Sequence, residues 1–242
     1  ILSMDDDAYV AREYATLDRL AMRRLDRTGW LRFDDLDEEQ TLLASLAVVH
    51  PRRVLDVGCG GGRLPSLYGA PEVVCVDRSP AAIQAATRRG LDARLADARE
   101  LPFPDASFDA VTCNHTLYHV DDREQAVSEI VRVLRPGGRF AGIYNARGHL
   151  RELWRRVAPD RLRAQGGSRE LFDAGSGLPI LERHFARVER LFRGGSVLWL
   201  ERGDLQAYLD AYLEMFGPME APDGPYPFVA TRAKCVFVAD AP

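Results

Sequence analysis

The sequence predicts an α/β protein whose parallel sheet is covered by helices on both faces. Three observations lead there. From Arg52 onward, short β-rich runs such as "RRVLDVG", "EVVCVD" and "FDAVTCNH" alternate with helical segments. The first run ends in an acid followed at once by glycines, "VLDVGCGGG", as a chain does when it leaves a strand in a tight turn. The 242 residues are 46% hydrophobic and 28% charged, an ordinary globular composition with length for one large domain or a domain and a small cap.

Taken in order, residues 5–50 read as an N-terminal helical cap and residues 51–242 as the main domain. In the cap Tyr14, Leu17, Leu20 and Ala21 recur at helical spacing, a turn is expected at Gly29, and "DEEQTLLASLAVV" resumes as a helix with its acids at the favourable end. "RRVLDVG" is then a strand, "GRLPSLYG" a short helix and "EVVCVD" a second strand. "SPAAIQAATRRG" is a helix with Ser79 as N-cap and Pro80 at its first position. "ARLADA" and "FDAVTCNH" are strands, "DREQAVSEIVRVL" a helix and "GGRFAGIYN" a fifth strand. A helical, arginine-rich insertion at about 147–177 breaks the rhythm. "LPILERHF" and "GDLQAYLDAYLEMF" follow as helices, with "ARVERLFRG", "SVLWLE" and "AKCVFVAD" as strands suited to an antiparallel sheet edge.

Charge and cysteines narrow the class. A net charge of −4 argues against a chain built mainly to hold nucleic acid. No apolar run reaches the roughly 18 residues of a membrane span, and the acidic N-terminus is unlike a signal peptide. Met4 is one candidate for the native start. Lys234 is the sole lysine; every other residue of the Lys/Arg set is arginine. Cys59, Cys75, Cys113 and Cys235 are scattered, without CxxC spacing, so no zinc site or disulfide frame is indicated and a cytoplasmic location is expected.

The glycine turn decides the ligand class. A P-loop requires GxxxxGK[ST], and Arg63 follows "GCGGG" here. A dinucleotide fingerprint requires a third glycine that is missing, and Asp56 would oppose a pyrophosphate at the helix N-terminus. A ligand with a cationic tail gains from that same acid, while Gly58 and Gly60 let the backbone approach closely, with Cys59 between them a further candidate cofactor contact. Asp77 ends the second strand where a ribose diol would lie, and Asp97 ends the third, where an adenine amino group could donate to it. A nucleoside without phosphates and with a positive tail is the description of S-adenosylmethionine.

"VLDVGCGGGRL", "VCVDRSPAAI", "ADARELPFPDASFDAVTCNHTLYHV" and "EIVRVLRPGGRF" resemble, in full order from Arg52 to Asn145, the motifs of class I S-adenosylmethionine-dependent methyltransferases. The resemblance implies a Rossmann-like three-layer sandwich with a seven-stranded, mostly parallel sheet and a reversed last strand. It puts Asp56, Gly58 and Gly60 around the methionine moiety and Asp77 on the ribose. Arg78 falls beside the adenine, Asp97 and Ala98 on its edge, and Asn114 near the amino group or sulfonium. S-adenosyl-L-homocysteine is then the product.

On the acceptor side the candidates follow the fourth and fifth strands. His115 and His119 are the candidate bases, needed only where the acceptor must lose a proton. Tyr118, Tyr144, Asn145 and Trp154 are candidate substrate contacts. Tyr9, Tyr14 and Arg23 are candidates to close over the cofactor, and Trp30, Phe33 and Phe172 to line the acceptor pocket. Arg147, Arg151 and Arg155 read as a solvated helix face, and "HTLYH" lacks the acid of a zinc-binding HExxH, so no metal is expected. The expected activity is methyl transfer to an O, N or C nucleophile of a small molecule by a monomer or homodimer. Methylation of RNA or protein, and cofactor binding without methylation, stand as alternatives.

Overall fold

The computed structural model describes residues 38–159, 176–211 and 217–242, together with the backbone of 30–33. Its centre is one eight-stranded sheet. The strands are β1 (Trp30–Phe33), β2 (Arg53–Val57), β3 (Glu72–Asp77), β4 (Asp92–Leu95), β5 (Phe108–Thr112), β6 (Leu134–Asn145), β7 (Arg187–Trp199) and β8 (Phe228–Asp240), in spatial order β1-β7-β8-β6-β5-β2-β3-β4. The five strands from β4 to β6 pair in parallel. β8 runs antiparallel between β6 and β7, which is the reversed last strand expected from the motifs. The expected seven strands are all present, and β1 adds an eighth, antiparallel on the outer edge of β7.

The helices are α1 (Glu38–Ala47), α2 (Pro80–Arg88), α3 (Arg123–Val133), α4 (Arg151–Val157), α5 (Gly177–His184) and α6 (Arg202–Asp210). Strand alternation sorts the core into two layers. Val54, Ala110, Ala141, Ile143, Val236 and Val238 face Leu42 and Leu46 of α1. Leu55, Val111, Phe140 and Phe237 face the other way, against Ile130 of α3 and Leu181 of α5. β2 is buried from Val54 to Val57 because it is the middle of a parallel sheet with both faces covered. A second cluster, with Leu153, Trp199, Leu205 and Tyr208, joins α4 and α6 to the far end of β7 and β8.

Local chemistry sets the helix starts. Ser79 accepts from the Ala82 amide at 3.3 Å with Pro80 first in α2, as the sequence predicts. Asp122 caps α3 through the Gln125 amide at 2.9 Å. Two expectations are revised. "ARVERLFRG" and "SVLWLE" are one continuous strand, because Gly194 and Gly195 stay paired with Ala233 and Arg232 of β8. Within the region read as a helical cap, Trp30–Phe33 is a strand, while Glu38–Ala47 is helical. Residues 5–29 lie outside the described residues. No helix among the described residues is long and apolar enough to cross a membrane.

Candidate active site

The turn after β2 is built by three glycines with different tasks. Gly58, Gly60 and Gly62 all have positive φ, at 74°, 53° and 74°. A Cβ on Gly58 would stand 2.1 Å from the Thr116 hydroxyl, so the loop after β5 packs directly on this turn. A Cβ on Gly62 would reach Leu91 at 2.6 Å and Ala86 at 3.0 Å, where α2 closes against the loop. The Gly58 and Cys59 amides both donate to Val76 O, which stitches the turn to β3. Asp77, at the end of β3, then accepts from the Gly60 amide at 2.8 Å and the Ser79 amide at 2.9 Å. Burial raises its pKa, against those hydrogen bonds and the charge of Arg78 beside it.

Asp56 is buried and sits in a network the sequence reading had only in part. Its Oδ1 accepts from Thr112 Oγ1 at 2.5 Å, Tyr68 OH at 3.0 Å and Asn114 Nδ2 at 3.4 Å. Asn114 Oδ1 takes the Ile143 amide at 3.0 Å, which fixes the orientation of its side chain. Burial pushes the Asp56 carboxyl up to about 7, and the Thr112 and Tyr68 hydrogen bonds pull the other way. The sequence reading missed Thr112, although alternation puts its hydroxyl on the face that Ala110 and Asn114 share. Tyr68, in the turn after Pro65–Leu67, carries no local signal that would link it to Asp56.

Asp97 behaves differently. It lies two residues past β4, half-buried, and Arg99 grips it with Nε at 3.0 Å, Nη2 at 2.7 Å and its backbone amide at 2.8 Å. Those bonds, the Arg99 side chain foremost, hold it below the usual carboxylate range. It is a permanent hydrogen-bond acceptor beside Ala98.

The acceptor-side candidates separate. His115 lies three residues past β5 with a left-handed backbone, φ 53°, and its amide is tied to Ile143 O at 2.9 Å. Burial, then the charges of Lys234, His119 and Arg232, hold its pKa well below the ordinary histidine value. Tyr118 lies between the histidines, its ring 6.4 Å from His115 and 4.3 Å from His119, which is buried. Tyr144 is fully buried with its hydroxyl donating to Cys113 O at 2.6 Å. Asn145 Oδ1 accepts from Lys234 Nζ at 2.5 Å. Trp154 packs on the cluster of α4 and α6, where Leu153 is the buried residue. Arg147, Arg151 and Arg155 are exposed. Tyr9, Tyr14, Arg23 and Phe172 lie outside the described residues, as do the side chains of Trp30 and Phe33.

Residues 55–142 match a family model described as a methyltransferase domain. Demethylmenaquinone methyltransferase of Deinococcus radiodurans is 37% identical over 144 residues, 55% of this chain and 56% of that protein. The 27-O-demethylrifamycin SV methyltransferase of Amycolatopsis mediterranei is 40% identical over 101 residues, 37% of each chain. The chain therefore spans only about half, or less, of the length of these curated relatives. The N-methyltransferase NodS from Bradyrhizobium japonicum WM9, solved in complex with S-adenosyl-l-homocysteine, shares the fold. It gives a TM-score of 0.52 at 15% identity, over 86% of this chain and 90% of that one.

Sheet order, glycine turn and family match agree: residues 55–142 form a methyltransferase domain of the class I, S-adenosylmethionine-dependent kind. The residues present fit that cofactor. Around the glycine turn, Asp56, Asp77 and Asp97 are acceptors suited to an amine, a ribose diol and an adenine amino group.

Proposed function

We propose that the protein transfers a methyl group from S-adenosylmethionine to an O, N or C nucleophile of a small molecule. The observation that carries the reading is Asp77. It ends β3 at the sheet's carboxyl edge and ties the glycine turn to the start of α2 through two amides. In an open α/β sheet this edge is where ligands bind. The names of the two curated relatives, a quinone-type and a rifamycin methyltransferase, support a small-molecule acceptor.

When bound, the cofactor supplies an electrophilic methyl group on a sulfonium. The chain's task is to hold donor and acceptor in line and keep water out, which can contribute roughly 7–11 kcal/mol. The main chain at Gly60, beside Asp77, approaches the ligand closely, Asp77 takes the ribose hydroxyls, and Asp97 with Ala98 takes the adenine edge. Asp56 and Asn114 face the cationic end. Where the acceptor is a hydroxyl, His115 is the base and His119 the second candidate. Both stand beside Tyr118 in the segment after β5, and burial holds the His115 pKa well below the ordinary histidine value.

The test is transfer of a labelled methyl group. The protein with labelled S-adenosylmethionine is expected to label members of a phenol, alcohol and amine library. Label appearing only in RNA or protein, or donor binding with no transfer to any acceptor class, would count against it.

A further inference from the structure

Asp56 lies one residue before the end of β2, on the face that Val54 turns toward α1. Thr112, the last residue of β5, follows Ala110 onto the same face, and Asn114 comes two residues later. Tyr68, just after the turn Pro65–Leu67, packs into this layer with Leu42 and Leu46. An otherwise apolar layer therefore holds a buried carboxyl, two hydroxyls and an amide.

The donors converge on one oxygen. Thr112 and Tyr68 each have a single hydroxyl proton, and both point it at Asp56 Oδ1. Asn114 spends one amide proton there and the other on Tyr68 OH at 3.1 Å. Its own Oδ1 is pinned by the Ile143 amide, so the group is anchored to β6. With three donors Oδ1 is filled, whereas Oδ2 takes no hydrogen bond among the described residues. The fully enclosed side-chain polar atoms without a partner, among those residues, are Trp199 Nε1 and Arg232 Nε. Asp56 Oδ2 is not one of them, so it keeps an open side, two residues ahead of Gly58.

We propose that Tyr68 and Thr112 are positioning residues that fill Oδ1 and leave Oδ2 of Asp56 as the oxygen offered to the cofactor's α-ammonium, so that the ammonium and a proton compete for one atom. The inference rests on the methyltransferase reading and adds how the donor's cationic end is recognised. A proton on Oδ1 would displace a donor; on Oδ2 it turns an acceptor into an O–H facing a cation. Binding the ammonium thus requires the carboxylate, the form that the three donors favour. The surrounding groups leave this competition to Asp56. Asp77, from the end of β3, disfavours its charge. Cys59 in the turn, Cys113 after β5, Tyr68 and Tyr144 of β6 all keep their protons at neutral pH, Cys59 through its contact with Cys75 first and the others through burial first. Burial likewise keeps His115, next to Asn114, neutral. α1 presents only Leu42 and Leu46 to this cluster.

Tyr68→Phe and Thr112→Val keep the shape and remove one donor each. In the ligand-free protein the ¹³C-carboxyl signal of Asp56, assigned by its loss in Asp56→Asn, is expected to titrate at about 7 and to move up by about one unit in either variant. Calorimetry with S-adenosylhomocysteine, which carries the same α-ammonium, is then run from about pH 6 to 8.5. Tyr68→Phe is expected to bind about fivefold more weakly than the parent at pH 7 and within about twofold of it at pH 8.5. 5′-Methylthioadenosine, which lacks the ammonium, is expected to bind without the pH slope. An unmoved Asp56 midpoint, weakening that is equal at every pH, or the same slope with methylthioadenosine overturns the proposal. Absence of S-adenosylhomocysteine binding at every pH sinks the donor reading, whereas binding without a slope sinks the competition alone.

Discussion

At the scale of single residues, Asp56 makes the sharpest statement. Its carboxyl titrates at about 7 when folded against an ordinary 3.8, so between those values the folded chain binds more protons than the unfolded one. Stability therefore falls as pH rises through that window and is lowest, from this group, above pH 7. Asp56→Asn is expected to be more stable than the parent at pH 8 by roughly 1–4 kcal/mol, and by much less at pH 5, in urea titrations. If the carboxylate faces the cofactor's cationic end, S-adenosylhomocysteine affinity should fall below pH 7 by up to about tenfold per unit, and the asparagine variant should lack that slope. Tyr144 gives the contrasting case. Its hydroxyl is spent on Cys113 O, so Tyr144→Phe should cost about 1 kcal/mol of stability and leave KM unchanged. A large KM change with unaltered stability would restore it as a substrate contact.

At the scale of elements, the glycine turn and the strand ends it touches are one unit. Gly58→Ala must push Thr116 away while holding a left-handed backbone, and is expected to cost about 1–3 kcal/mol and most of the cofactor affinity. Thermal melts with and without S-adenosylhomocysteine would read both effects. Asp122→Ala, which removes the α3 cap, should cost about 1 kcal/mol and leave affinity alone. These elements differ in how far the sequence reveals them. Strands β2 to β6 and their helices were legible because apolar runs, caps and glycines act within a few residues. The unity of β7 was not, since Gly194 and Gly195 resemble a turn until thirteen paired residues of β8 are laid beside them. The strand at Trp30–Phe33 was hidden for the same reason, its hydrogen-bonding partners lying at Ser196–Trp199.

At the scale of the whole molecule, the sheet brings together what the chain keeps apart. Asp56, Asp77 and Asp97 could be read from sequence because each ends a predicted strand, and strand ends on one edge share a function. Tyr68, Thr116, Lys234 and His149 could not, because their contacts reach across 12 to 89 positions, such as Tyr68 to Asp56 and Lys234 to Asn145. The same property explains why the cofactor class is readable and the acceptor is not. The donor site is made by consecutive strand ends, whereas the acceptor side mixes β5, β6, the loop after it and β8. The central claim is the donor site, and calorimetric titration with S-adenosylhomocysteine, beside NAD and ATP, tests it most directly. One-to-one binding of S-adenosylhomocysteine alone, weakened at least tenfold in Asp77→Ala, is the predicted result. Binding of NAD in its place, or no loss of affinity in the variant, would contradict it.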